Sequence, residues 1–323
     1  MTGNEPVLEC RHLSKAYRLA GENSLSKKTF RAVEDVSFSV RPGETFGIVG
    51  ESGCGKSTVA RLLMCLEKPT QGEVYFRGQR VDTLPEKERR KLRPRFQMVF
   101  QDSGSSLNPR KQVRDILLEP MRYHRADSQP EARLETLLSM VGLPAEMKNR
   151  YPHEFSGGQR QRICIARALS LNPDVVVLDE PVSALDVSVQ AQILNLLRDL
   201  QERLGLTYVF IGHGLGAVHY ISHRIAVMYR GRIVEIGPSE ELFDHPAHPY
   251  TKALLDAAPA ADAEDRYRPR DVLKGEIEEK APEDACPLYH RCPRANAECL
   301  RFQDDMQPVA PEHFSVCTRA WEG

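Results

Sequence analysis

The 323-residue chain has no uninterrupted apolar run of about 18 residues, so no segment is expected to span a bilayer as a helix. It has no excess of either charge, with 44 Lys and Arg against 45 Asp and Glu and a net charge of -1. A basic coat for nucleic acid is therefore disfavoured, although a local patch is not. Met1-Thr2-Gly3-Asn4-Glu5-Pro6 lacks the basic and apolar regions of a secretory leader, and the chain is expected to stay on the cytosolic side. No internal repeat or low-complexity tract interrupts it. What is present is ordinary for a globular protein: 41% apolar and 28% charged residues, which argues against global disorder. At roughly 150 residues per domain the length predicts about two domains.

The eight cysteines divide unevenly. Cys10, Cys54, Cys65 and Cys164 are scattered and read as small buried hydrophobes. Cys286, Cys292, Cys299 and Cys317 crowd the end, where a cytosolic chain suggests metal before disulfide. No C-x-x-C knuckle is present, which weakens a zinc reading. Pro287 and Pro293 directly follow two of these cysteines, as also happens around iron–sulfur clusters. Cluster, zinc and thiols that only pack all stay open.

Short strands are predicted at Val7–Cys10 and Val36–Val40, with a polar insertion at Gly21–Lys28 between them. Thr45–Val49 is a buried strand, and Thr58–Leu66 is helical. Residues 110–170 are mainly helical, with breaks near Pro130, Pro144 and Pro152. Val175–Leu178 is wholly apolar and β-branched for most of its length, as at the centre of a parallel sheet. Ser188–Leu204 is an amphipathic helix stopped by Gly205. Thr207–Ile211 and Arg224–Tyr229 are further strands. The alternation gives an α/β fold with parallel strands. Residues 259–285, rich in charge, Ala and Pro, read as a linker or extended wrap.

Gly50-Glu51-Ser52-Gly53-Cys54-Gly55-Lys56-Ser57-Thr58 fits G-x-x-x-x-G-K-[ST] between a strand and a helix. Its glycines let the backbone curl so that successive N–H groups face a phosphate, and the helix N-terminus adds partial positive charge. Lys56 would reach the β- and γ-phosphates and the Ser57 hydroxyl would ligate Mg²⁺. Val175–Leu178 delivers Asp179 and Glu180 to the carboxyl edge of the sheet, where ligands bind. Asp179 would hold Mg²⁺ through water, and Glu180 would polarise an attacking water.

Phe155-Ser156-Gly157-Gly158-Gln159-Arg160-Gln161-Arg162 resembles the signature motif of ABC-type ATPases. Gln101 resembles their Q-loop glutamine, Ser183-Ala184-Leu185-Asp186 their D-loop, His213 their switch histidine, and Tyr17 the aromatic that stacks on adenine. All stand in family order over residues 7–235. The resemblance implies a P-loop NTPase of ABC type, with a RecA-like parallel sheet core, an antiparallel β subdomain, a helical signature subdomain and a small cysteine-rich C-terminal segment. It implies catalytic roles for Glu180, His213 and Gln101, with Gln101 also at Mg²⁺. It implies that Ser156, Gly157, Gly158, Gln159 and Asp186 complete the ATP site of an opposing subunit. Independently of the family, Ser156-Gly157-Gly158 opens a helix and so offers N–H groups and a hydroxyl to an anion. One departure stands out. The family usually has Ser-His-Asp at the switch, whereas this chain has Gly212-His213-Gly214, which removes a helix cap and loosens His213.

Ser105–Arg110, His248–Leu255, Pro181–Ser188 and Met228–Glu235 resemble the oligopeptide and dipeptide importer branch. Gly21–Lys28 and Asn108-Pro109-Arg110 resemble the F-type ATPase of its pair. The branch implies an ATP-binding domain over 1–258, with a helical subdomain at about 102–170, and an importer extension over 259–323. In some members that extension carries a [4Fe–4S] cluster, here on Cys286, Cys292, Cys299 and Cys317. Lying far in sequence from every phosphate ligand, it would be structural or redox-sensing. The implied partners are a second, paralogous ATPase in a heterodimer, two integral-membrane permeases and a substrate-binding protein, at the cytoplasmic face of the membrane. The rival is a soluble ABC-type ATPase acting on nucleic acid. Such relatives insert long coiled coils before the signature, and no sustained heptads occur here.

Overall fold

The computed structural model describes residues 5–18, 29–125, 129–257, 273, 281–282, 284–302 and 304–317. The insertion expected at Gly21–Lys28 and most of the linker expected at 259–285 lie outside these. Strands β1 (Leu8–Arg18), β2 (Thr29–Val40), β4 (Gln71–Phe76) and β5 (Gln79–Arg80) form an antiparallel sheet in the order β2-β1-β4-β5. β3 (Thr45–Val49), β6 (Phe96–Val99), β7 (Val175–Asp179), β8 (Thr207–Gly212) and β9 (Arg224–Tyr229) form the parallel part of a second sheet. β10 (Arg232–Pro238), β11 (Gln307–Ala310) and β12 (His313–Ser315) extend it antiparallel, giving the order β11-β12-β10-β9-β3-β8-β7-β6.

Side-chain alternation along the parallel strands splits the core in two. Val175, Val177, Val209 and Ile211 pack toward the antiparallel sheet and α1 (Lys56–Leu63). Val176, Leu178, Tyr208 and Phe210 pack toward a helical layer. Both faces are covered, which is why β7 needs no polar residue before Asp179. After α2 (Glu86–Leu92), the helical layer holds the short α3 (Ser103–Ser106), α4 (Val113–His124), α5 (Pro130–Met140) and α6 (Gly157–Leu169). The break expected near Pro130 falls between α4 and α5, and Pro130 itself starts α5, since its missing N–H is spared in the first turn. Further along, α7 (Val187–Leu204) ends at Gly205, whose φ of 64° is the left-handed cap expected there. α8 (Leu215–Ile221) and α9 (Ser239–Asp244) follow β8 and β10.

The end of the chain is built into the sheet. β12 pairs Ser315 with Glu235 and Phe314 with Ile236 on β10. Glu235 is fully buried and gathers this region. Its carboxylate accepts the N–H groups of Ala247 and His248, both at 2.8 Å, and the Thr251 hydroxyl, and it meets His313 Nε2 at 2.7 Å. These partners come from the start of α10 (Pro249–Ala257) and from β12. One buried carboxylate thus joins three segments, and each of its bonds offsets part of the cost of burying the charge.

Candidate functional site

The loop after β3 curls because its glycines permit it. Gly50 has φ 156°, and a Cβ there would stand 2.2 Å from the Met228 carbonyl oxygen. Gly55 has φ 110°, and a Cβ would stand 2.2 Å from the Ala32 carbonyl oxygen. No other residue fits either position. Lys56 is buried, and its Nζ donates to the carbonyls of Gly50 (2.8 Å) and Glu51 (3.0 Å). Ser57 Oγ donates to Asp179 Oδ1 at 3.0 Å. Burial pushes the Asp179 carboxyl above its ordinary range, and the Ser57 hydroxyl opposes that.

Glu180 follows at the edge of β7 with φ 47°, a strained backbone for a side-chain-bearing residue. Its N–H donates to the Ile211 carbonyl (2.9 Å), which ties it to β8. Gln101 Nε2 donates to Glu180 Oε2 at 2.8 Å, and His213 Nδ1 lies 3.3 Å from the same oxygen. Three residues expected from separate motifs therefore converge on one carboxylate. They line a cleft of about 580 Å³ together with Tyr17, Lys56 and Ser57, a size that suits a small ligand.

Sequence reading missed Phe30 and Arg61, which also line this cleft. Phe30 lies opposite Tyr17 in the β1–β2 register and is half-exposed. The Tyr17 hydroxyl donates to Glu67 Oε2 at 2.6 Å. Strand alternation could have put the two aromatics on one face, but their pairing spans the insertion and carries no local signal.

Ser156, Gly157, Gly158, Gln159 and Asp186 do not line the cleft. Ser156 caps α6, accepting the Gln159 N–H at 3.3 Å while Gln159 Oε1 accepts the Ser156 N–H. Its hydroxyl is thus already engaged within its own helix. Asp186 caps α7, accepting from Val189 N–H (3.0 Å) and the Ser188 hydroxyl (2.7 Å), and these bonds hold its carboxyl below the usual range. The two caps lie side by side. A Cβ on Gly158 would stand 2.5 Å from Val189 Cγ1, and one on Gly157 3.3 Å from Leu185 Cδ2.

At the switch, the two glycines differ. A Cβ on Gly212 would stand 2.8 Å from Val218 Cγ2, so this glycine makes room for α8 and does not merely add freedom. Gly214 caps α8 with no side-chain bond and has nothing within 4 Å of a would-be Cβ.

Cys10, Cys54 and Cys164 are buried and Cys65 half-buried, as small hydrophobes should be. The four late cysteines draw together around Cys286. Its N–H donates to the Cys299 carbonyl at 2.7 Å. Burial pushes its thiol up to about 12, and Cys299, Cys317 and Cys292 push the same way. Yet among the described residues no group of three or more His, Cys, Asp or Glu is arranged to hold a metal ion. The donors have thiol chemistry and proximity, but not the closed geometry expected of a cluster.

This segment, far from the phosphate loop in sequence, touches it in the fold. Arg291, in the turn between Cys286 and Cys292, forms a two-pronged ion pair with Glu51 of the phosphate loop, at 2.9 and 3.0 Å. Distance along the sequence concealed a contact made through the fold.

Residues 33–183 match the family model described as ABC transporter, and residues 234–299 match that described as the oligopeptide/dipeptide transporter C-terminal region. The chain is 48% identical to the oligopeptide transport ATP-binding protein AppF of Bacillus subtilis, over 97% of each chain. It is 47% identical to the dipeptide transport ATP-binding protein DppF of Escherichia coli, over 95% of this chain and 92% of the other. Among solved structures it resembles the dimeric ATP-binding cassette MJ0796 bound to ADP and Pi, with TM-score 0.64 and 30% identity over 72% of this chain and 98% of that one.

Proposed function

The chain belongs to the ATP-binding subunits of oligopeptide and dipeptide ABC transporters, and from that premise we propose how its residues hydrolyse ATP to power import. The observation that carries the proposal is the convergence of Gln101 and His213 on the Glu180 carboxylate beside Ser57 and Asp179. Nothing favours the nucleic-acid alternative.

Tyr17 offers its ring to the adenine, and the loop from Gly50 to Thr58 wraps the phosphates. Lys56 exchanges its bonds to loop carbonyls for the phosphate oxygens. Ser57 and Asp179 form an oxygen donor set suited to Mg²⁺, which commonly uses one or two carboxylates together with substrate phosphates. A magnesium ion held there supplies charge neutralisation at the phosphate oxygens. Glu180 accepts a proton from the attacking water, and His213 and Gln101 orient that carboxylate. Water adds to the γ-phosphorus, the bond to the β-bridging oxygen breaks, and ADP and phosphate leave.

The other half of each site comes from a second subunit. Supporting this, Ser156–Gln159 and Asp186 stand outside the cleft on a shared surface. The second subunit is a paralogous ATPase, and the working assembly adds two permeases and a substrate-binding protein. Among the described residues no helix is long and apolar enough to cross a membrane. The proposed place is peripheral, on the cytoplasmic side of the permeases. The division into 1–258 and 259–323 is proposed as one of role only, because β12 pairs with β10 within the main sheet. Thiol chemistry alone supports a further proposal, that Cys286, Cys292, Cys299 and Cys317 hold a [4Fe–4S] cluster, with zinc as the alternative, since among the described residues no group of three or more is arranged to hold a metal ion.

The complete complex tests the import function. Reconstituted with both permeases, the partner ATPase and the binding protein, it is expected to hydrolyse ATP faster when loaded with peptide. Peptide-independent hydrolysis with no uptake would overturn the importer reading.

A further inference from the structure

The phosphate loop is held by the end of the chain. Glu51, the second residue of the loop, is fixed at three points. Its N–H donates to the Tyr250 hydroxyl at 2.8 Å, its carbonyl accepts from Lys56 Nζ, and its carboxylate takes both terminal nitrogens of Arg291. Arg291 is buried, and one of its nitrogens also reaches the Tyr229 hydroxyl at 3.4 Å. The Tyr229 and Tyr250 rings pack with centroids 4.7 Å apart. Leu288, in the same turn as Arg291, is buried in the core with both tyrosines. The turn is therefore docked on the core through Leu288, next to the fork it presents.

Of the three restraints, the Lys56 bond is the one a phosphate must compete for. The other two come from residues far along the chain and need not change when phosphate arrives. A two-pronged Arg–carboxylate pair also fixes orientation, which a single point charge does not. We propose that Arg291 and Tyr250 are positioning residues for ATP, holding Glu51 so that the loop keeps its phosphate-binding curl. Nucleotide affinity is then set partly by the cysteine-bearing turn. This rests on the nucleotide-site reading above.

The test uses the full-length chain. Affinity for Mg·ATP is measured calorimetrically for the unaltered chain, Arg291→Met, Glu51→Gln and the double variant, alongside melting temperature without nucleotide. Each single variant is expected to raise the Kd roughly tenfold, within the range usual for coupling between linked sites. The double variant should match the singles, because both remove the same link. Should Arg291→Met fail to fold, Glu51→Gln reads the link from the loop side with the tail sequence intact. A lower melting temperature with unchanged Kd in the single variants overturns the proposal, as do effects that multiply in the double. If the unaltered chain binds no ATP, the nucleotide-site reading falls with it; if it binds and the variants bind equally well, only the link falls.

Discussion

His248 makes the structure sensitive to acid in a way that can be worked out. It precedes α10 and is fully enclosed. Its Nδ1 accepts the N–H of Tyr250 at 3.1 Å, so the ring caps the helix as an acceptor. Protonation removes that acceptor and places a cation at a helix N-terminus, where the dipole opposes it. Burial pushes the pKa down from 6.5 to about 4, and the Glu235 charge opposes this only partly. Because the folded value is the lower one, the unfolded chain binds the extra proton. Stability is fully present above about 6.5 and is lost as pH falls toward about 4. The whole window corresponds to about 3 kcal/mol, and roughly 2 kcal/mol of it should vanish between pH 7.5 and 5. Urea denaturation at those two pH values, for the unaltered chain and His248→Asn, isolates this contribution. Asparagine keeps an acceptor for the Tyr250 N–H but does not titrate, so other groups cancel in the comparison. The unaltered chain should lose about 2 kcal/mol more than the variant. Equal losses would refute the reasoning, because His248 would then not be the neutral cap.

Glu180→Gln should keep ATP binding while hydrolysis falls roughly 10²–10⁴-fold, the usual cost of losing a general base. The assay needs the partner ATPase also silenced, and near-normal turnover then removes Glu180 from the role. Gly214→Asp should stabilise α8 by about 1 kcal/mol, since φ is -86° and the site is open. A shift in the urea midpoint checks this, and a large loss of transport would show that Gly214 is needed for movement or contact. Anaerobically purified chain should contain iron and acid-labile sulfide, and Cys292→Ser should lose both. Stoichiometric zinc without iron would leave a structural zinc site, and no metal at all would leave packed thiols.

Much of the site was legible because its motifs are local. Thr45–Thr58 and Val175–Glu180 each carry a strand and the chemistry that follows it within a few residues. What could not be read is whatever depends on pairing between distant segments. The left-handed φ of Glu180 is associated with a bond to Ile211 on the next strand. The contact of Gly158 with Val189 likewise needs both helices in place. β11 and β12 are short, with β12 pairing to β10 through only two residue pairs, and their sequence has no strong alternation to announce them. Arg291 is a single charged residue among many, and only the fold brings it to Glu51.

The switch shows the same division within three residues. Sequence alone makes Gly212-His213-Gly214 one loosened unit, because both glycines replace residues that would restrain the backbone. The fold separates them. Gly212 ends β8 against Val218, and a larger residue there would have to push α8 away from the strand that carries His213. Its small size is what lets α8 pack closely at this point. Gly214 meets nothing and caps α8 without a side-chain bond, so it alone lowers the restraint on that helix. The histidine between them is half-exposed yet reaches Glu180. The looseness inferred from the sequence therefore belongs to the helix start, not to the strand end. Alanine at Gly212 should accordingly harm folding, whereas substitution at Gly214 should not. Urea midpoints of the two variants would show the asymmetry, and equal midpoints would refute it.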